Sequence, residues 1–269
     1  TKAEDAAQQS YLQRQKCVET YTTGMLALGV GGKKKLPEAV QRRRQSQVVR
    51  NLIEAGEEDL DNIMNLSAVK ASEAAFENHV MATTVLSLSM GMSLGLNRKH
   101  LLRLGLCAMH ADVGESQLPE ELMEKPEQFS PSERKEMETH AVKGFTHLLD
   151  KHGFNANSLE RALVSLEHHL NFDLKGGYPE VRRGEVHLFS RIVAICDTYN
   201  ALLSDRPHRP AFPPDQAVKI IARGAGTRFD PMLCKVFLSS IGNYPPGSLV
   251  ELSSGEVAVV FGAGRGDRP

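Results

Sequence analysis

Between residues 71 and 242 the chain keeps returning to one pattern: apolar helical stretches joined by loops that are short or rich in Gly and Pro. A period near 3.6, renewed in segment after segment, leaves an α-helical bundle as the simplest way to bury so many apolar faces. The most apolar stretch, residues 80–96, is interrupted by Thr, Ser and Gly and reads as a buried helix. It falls short of the roughly 18 to 20 apolar residues that span a bilayer. With no such run and no signal-peptide pattern at the N-terminus, a cytoplasmic protein without a membrane span is expected. Lys and Arg total 32 against 33 Asp and Glu, for a formal net charge of -1. That balance excludes a general polyanion binder, so DNA is not an expected partner. Cys17, Cys107, Cys196 and Cys234 stand apart in sequence and suggest neither a zinc site nor a disulfide framework.

Three regions separate on composition. Residues 1–70 are polar and helix-prone, interrupted by Gly29-Val30-Gly31-Gly32 and by the basic runs Lys33 to Lys35 and Arg42 to Arg44. They are expected to form an N-terminal helical segment, regulatory or dimerising, in which Val48, Leu52, Ile53, Leu60, Ile63, Met64 and Leu66 pack on the main domain or on a second subunit. Residues 71–242 hold all ten histidines. Helices are expected over residues 76–94, over a stretch capped by Asn97 that runs through Leu106, and over 158–169 and 184–203. Another should start at Ser130-Pro131-Ser132-Glu133, a cap followed by proline, and carry Met137, His140 and Ala141 on one face. Residues 243–269 change to alternating polarity, and Ser254-Gly255 between two such runs predicts a short β-hairpin tail.

The chemistry sits where apolar helices carry polar residues. His79 begins an apolar helix, Asp112 ends one, His140 lies mid-helix, and His168-His169 end another. Asp197 follows directly on Ile192-Val193-Ala194-Ile195-Cys196. A buried carboxylate is unfavourable by several kcal/mol unless a cation or strong donors offset it, in the range of about 2–7 kcal/mol for lesser polar groups alone. A divalent metal compensates several such groups at once, and imidazole with carboxylate is a ligand set for Fe, Mn or Zn. Any one of these residues, taken singly, reads as readily as a satisfied core group. Adjacent His168 and His169 would diverge by about 100° inside a helix, so a shared site needs a helix end or a pair of metals.

The order His79, Asp112, His140, His168-His169, Gly177-Tyr178-Pro179, Asp197 resembles the HD-GYP branch of the HD-domain phosphohydrolases. Two further strings support the resemblance: Cys196-Asp197-Thr198-Tyr199-Asn200-Ala201-Leu202 with Ser204-Asp205-Arg206-Pro207 behind it, and Gly224-Ala225-Gly226-Thr227-Arg228-Phe229-Asp230-Pro231. The resemblance implies an all-α, HD-domain-like helical bundle over residues 71–242. It also implies a metal-dependent phosphodiesterase acting on cyclic di-GMP or a related phosphorylated nucleotide, with divalent ions, two of them and iron or manganese by preference. By position, His79 would bind one metal and Asp112 would bridge two as the catalytic carboxylate. His140, His168 and His169 would bind the second, and Asp197 would return to the first. Arg206, Arg209 and Tyr178 would face the substrate.

Departures from the family pattern are part of the reading. The histidine expected before Asp112 is Ala111, with His110 one residue early, and the lysine expected after Gly114 is Glu115. Ala75 stands where three-metal members carry an acid, and the run from His169 to Gly177 is one residue longer than usual. These changes keep open a second expectation, a catalytically inactive relative that binds a nucleotide or a signalling protein.

Overall fold

The computed structural model describes residues 37–60, 75–181, 184–205, 209–242, 244–245 and 248–260. Two compact units emerge, one of residues up to 106 with those from 245 on, the other of residues 107–244. Among the described residues the architecture is mostly helical with one antiparallel hairpin.

In the first unit, α1 (Glu38–Glu58) buries Val48, Val49, Leu52 and Ile53 along one stripe and packs against α2 (Ala75–Ser93). Arg42, Arg43 and Arg44 are exposed on α1. The apolar helix expected over 76–94 is α2, buried all round from Val80 to Gly91. That is why it lacks an amphipathic pattern: no face of it is left for water. α3 (Arg98–Met109) begins where Asn97 accepts from the His100 amide at 3.0 Å, as an N-cap should. The hairpin pairs β1 (Leu249–Glu251) with β2 (Val257–Val259), Leu249 opposite Val259 and Val250 opposite Ala258. Its turn needs a positive φ, which Gly255 supplies.

The second unit is the larger bundle. After a 3-10 turn (Val113–Gln117) and the single-turn α4 (Glu120–Met123) come α5 (Pro131–Glu138), α6 (His140–His152) and α7 (Ala156–Glu167). α8 (Leu188–Leu202), α9 (Pro214–Arg223) and α10 (Pro231–Ile241) complete it. α8 is buried almost all round, and α7, α9 and α10 pack against it. On α10 the stripe Leu233, Cys234, Phe237, Ile241 faces inward, and Phe237 meets Tyr199 edge-on at 5.1 Å. The start of α5 is a full capping box between Ser130 and Glu133 with Pro131 in the first turn, and Asp230 with Pro231 starts α10 in a similar way.

Two helices differ from expectation. The helix from Ser130 stops at Glu138, and His140 opens a new one instead of lying mid-helix. The Thr139 hydroxyl bonds the Glu136 carbonyl at 2.6 Å and His140 Nδ1 bonds that of Met137 at 2.8 Å, so side chains take the acceptors that a continuous helix would use. α8 starts at Leu188, later than residue 184, because the His187 ring caps the Phe189 amide at 3.2 Å. Cys107, Cys196 and Cys234 are buried, whereas Cys17, Lys33 to Lys35, Ile63, Met64 and Leu66 lie outside the described residues. Among the described residues no helix is long and apolar enough to cross a membrane.

A candidate metal centre

Four elements of the 107–244 unit deliver the site. α3 ends at Met109, and the chain turns through His110 and Ala111 so that Asp112 leads into the 3-10 turn. That turn lies against the first turn of α6, which starts with His140. α7 ends at Glu167 and leaves His168 as its C-cap with His169 just beyond. Leaving the helix there lets adjacent imidazoles converge on one site, their ring centroids 3.9 Å apart. Asp197 comes from the middle of α8.

Gly114 permits the approach of the 3-10 turn to α6. A Cβ there would overlap the His140 carbonyl oxygen and come within 2.5 Å of the Gly144 nitrogen, both of them backbone atoms. Gly177, at φ 78°, closes the loop from His169, and its position against the His169 carbonyl has no room for a side chain. The loop then places Tyr178 over the His169 ring at 4.4 Å and edge-on to His140 at 5.7 Å.

Asp112 is 6% exposed, and its Oδ1 faces two imidazoles. His168 Nε2 lies 3.1 Å from it and His140 Nε2 lies 3.6 Å from it. Both rings are held by their other nitrogen. His168 Nδ1 sits 3.1 Å from the Val164 carbonyl and 3.0 Å from that of Ser165, as His140 Nδ1 does 2.8 Å from that of Met137. Carbonyl oxygens only accept, so each Nδ1 carries the proton and each Nε2 turns its lone pair inward unless a second proton is bound. A lone pair beside a carboxylate oxygen is repulsive without a shared cation. His140 Nε2 is buried and has no hydrogen-bond partner.

That orphaned nitrogen, beside a buried carboxylate and a second tethered imidazole, fits a divalent metal. Asp112, His140, His168 and His169 each offer a ligand atom, all within 4.8 Å of one another. Asp112 and Asp197 likewise offer oxygens within 4.8 Å of each other. Imidazole rings anchored through Nδ1 to carbonyls are the usual outer arrangement of such ligands. Electrostatics agree with a site built for positive charge. Burial alone would depress the His168 pKa, yet its bond to Asp112 and the charges of Asp112 and Asp197 outweigh that and raise it. Burial lowers the pKa of His140, and burial with the neighbouring His168 drives that of His169 well down, so both rings favour the neutral, ligating form. Tyr178 is pushed far above the ordinary phenol value by burial and then by the negative charges of Asp197 and Asp112, and stays protonated.

His79 lies in the second turn of α2, half-buried, in the first unit. Arg206 lies outside the described residues. The Arg209 guanidinium donates to the carbonyls of Ala201 at 3.0 Å and Pro210 at 3.1 Å and stacks on Phe212 at 4.5 Å, closing the C-terminal end of α8. His110 is buried but is not among the four residues whose ligand atoms meet around Asp112. Glu115 is half-buried on the first turn of the 3-10 segment, and its charge adds to the rise at Tyr178.

Two buried residues escaped the sequence reading. Ser165 donates from Oγ to the Ala111 carbonyl at 2.7 Å. Glu167, fully buried, accepts from the His187 amide at 2.9 Å and the Ser190 hydroxyl at 2.8 Å, tying the end of α7 to the start of α8. Nothing in the chain's spacing marks either, beyond their closeness to His168.

An α-helical bundle whose histidines and aspartates converge from separate helices is the plan of the metal-dependent HD phosphohydrolases. The sequence model of the HD domain family matches residues 58–233, and the chain belongs to that family. A cyclic di-GMP phosphodiesterase of Pseudomonas aeruginosa is 30% identical over 200 residues, covering 74% of this chain and 47% of the relative. A cyclic di-GMP phosphodiesterase of Vibrio cholerae is 35% identical over 132 residues, 48% of this chain and 27% of the relative. The response regulator RpfG of Xanthomonas campestris, also named a cyclic di-GMP phosphodiesterase, is 32% identical over 139 residues, 51% of this chain and 36% of its own. The chain thus spans about half, or less, of the length of these relatives.

Proposed function

We propose that the protein is a metal-dependent phosphodiesterase that hydrolyses cyclic di-GMP or a closely related phosphorylated nucleotide. The observation that carries this reading is Asp112 Oδ1 facing two Nε2 atoms whose rings are both tethered at Nδ1, one of those Nε2 atoms being buried without a partner. The names of the relatives support the substrate class.

In this reading Asp112, His140, His168 and His169 hold one divalent ion, with Asp112 and Asp197 supplying carboxylates to a second. Iron or manganese suits the mixed nitrogen and oxygen donors. The assignment of His79 rests on its place in the sequence order. Such ions, when bound, lower the pKa of water and offset the charge that builds on phosphoryl oxygens. The Met137, Val164 and Ser165 carbonyls orient the imidazoles, so that their lone pairs point inward before any ion binds. Tyr178 covers His169 and keeps its proton, available to donate toward a phosphate oxygen. Arg206 is the cation assigned to the phosphate by sequence order; Arg209, bound to carbonyls, supports the end of α8. A nucleotide second messenger as substrate also implies action in the cytoplasm, with residues 1–70 as a regulatory or dimerising segment.

Metal analysis and a cyclic di-GMP turnover assay test this on the wild-type chain and on Asp112→Ala. The wild type should hold divalent metal and release a linear or mononucleotide product, and the variant should lose both. Wild-type metal content in Asp112→Ala would overturn the bridging role. A metal-loaded wild type that leaves the dinucleotide intact would overturn the activity.

A further inference from the structure

We propose that Ser165 is a positioning residue of the metal centre, whose side chain and main chain together set the separation of Asp112 from His168. The inference rests on the metal-binding reading above and deepens it. Ser165 is fully buried in the last turn of α7. Its hydroxyl donates to the Ala111 carbonyl at 2.7 Å, bridging 54 residues of sequence, and Ala111 is the residue before Asp112. Its own carbonyl accepts from His168 Nδ1 at 3.0 Å. The loop of contacts then closes, because His168 Nε2 meets Asp112 Oδ1 at 3.1 Å. One residue therefore holds the main chain of one candidate ligand and the ring of the other.

The hydroxyl has little freedom to bond elsewhere. Gly144 of α6 packs so close to it that a Cβ at that position would overlap Ser165 Oγ. Ala111 is 1% exposed, so no bulk water reaches its carbonyl to replace a lost donor. Without the hydroxyl, the segment carrying Asp112 would keep its packing but lose its tie to α7. Residues that orient ligands from behind typically change metal affinity by about 10- to 100-fold when removed.

The test compares Ser165→Ala with Ser158→Ala in the full chain. Ser158 is also a fully buried serine of α7, but its hydroxyl serves the helix start, donating to the Gly153 carbonyl at 2.5 Å within a capping box with Asn155. Each change removes one buried hydroxyl from the same helix. Mn(II) affinity is read from the electron paramagnetic resonance of free Mn(II), and thermal melts of the metal-free proteins record stability separately. Ser158→Ala should lower the melting temperature with the Mn(II) dissociation constant within about twofold of wild type, whereas Ser165→Ala should raise that constant about tenfold or more. An unchanged constant in Ser165→Ala overturns the inference, as does an equal rise in both variants, which would mean a general loosening of α7. Should Ser165→Ala not fold, Ser165→Cys, of similar size but a weak donor, carries the same comparison. A wild-type chain that binds no Mn(II) is a different result and sinks the metal-binding reading itself.

Discussion

Gly114→Ala is the sharpest test of how the site is built. The added methyl would sit 2.5 Å from the Gly144 nitrogen, where ordinary contact begins at 3.4 Å, and would overlap the His140 carbonyl oxygen as well. The 3-10 turn must therefore retreat from α6 by about 0.9 Å or more against backbone that cannot rotate aside. Overpacking against adaptable side chains is unfavourable by about 1–3 kcal/mol, and with backbone on both contacts the upper end, about 3 kcal/mol, is expected. That is roughly a hundredfold in the folding equilibrium. It corresponds to a fall in melting temperature of about 6 to 12 °C for a unit of this size. Because Asp112 rides on the same turn, Mn(II) affinity should fall in step with stability. Calorimetric melting of wild type and variant, with and without Mn(II), measures both. A variant that melts within about 1 °C of wild type and binds Mn(II) equally would refute the argument that the close approach of this turn to α6 sets the site.

Other outcomes follow from single contacts. Arg209→Ala should destabilise the protein by about 1–3 kcal/mol, read by urea denaturation, because it removes donors from carbonyls at the end of α8. Glu115→Lys should raise cyclic di-GMP turnover at low substrate by about tenfold, since a like charge near the phosphate becomes an opposite one at an interaction energy of order 1 kcal/mol per charge in solvent. Adding Ala111→His should raise turnover further if the missing imidazole is what limits it. The half-buried Glu133, whose hydrogen bonds from Lys125 and Ser130 hold its pKa down to about 2, adds stability that is complete above about pH 4.5 and is lost as pH falls toward 2. Glu133→Gln should therefore lower stability in the neutral region, leave it nearly unchanged near pH 2, and so flatten the acid limb of a pH-stability curve in that window.

Local signals carried much of the fold. α2 and the start of α3 follow from an apolar run and an Asn cap, and α5 from a Ser-Pro start with Glu at the third position. The hairpin follows from alternation about Ser254-Gly255. These depend on neighbours within four residues, where side-chain period and cap chemistry are strongest. The break at Thr139 was not legible, since Met137, His140 and Ala141 keep a helical spacing across it. It depends on which carbonyls the Thr139 and His140 side chains take, a competition that a hydrophobic pattern does not record.

The candidate site divides in the same way. The sequence by itself determined the donor set: histidines and aspartates at the ends and middles of apolar helices, in an order that resembles one family. Which nitrogen of each imidazole turns inward was decided only by the carbonyls of Met137, Val164 and Ser165. The convergence of His168 and His169 was decided by the end of α7 falling between Glu167 and His168, and the role of Arg209 by the carbonyls at the end of α8 that it meets. Asp112 and His168 lie 56 residues apart and Ser165 and Ala111 lie 54 apart. Contacts at that separation are fixed by how whole helices pack, because a side chain's periodicity reports which face is buried and not what it is buried against.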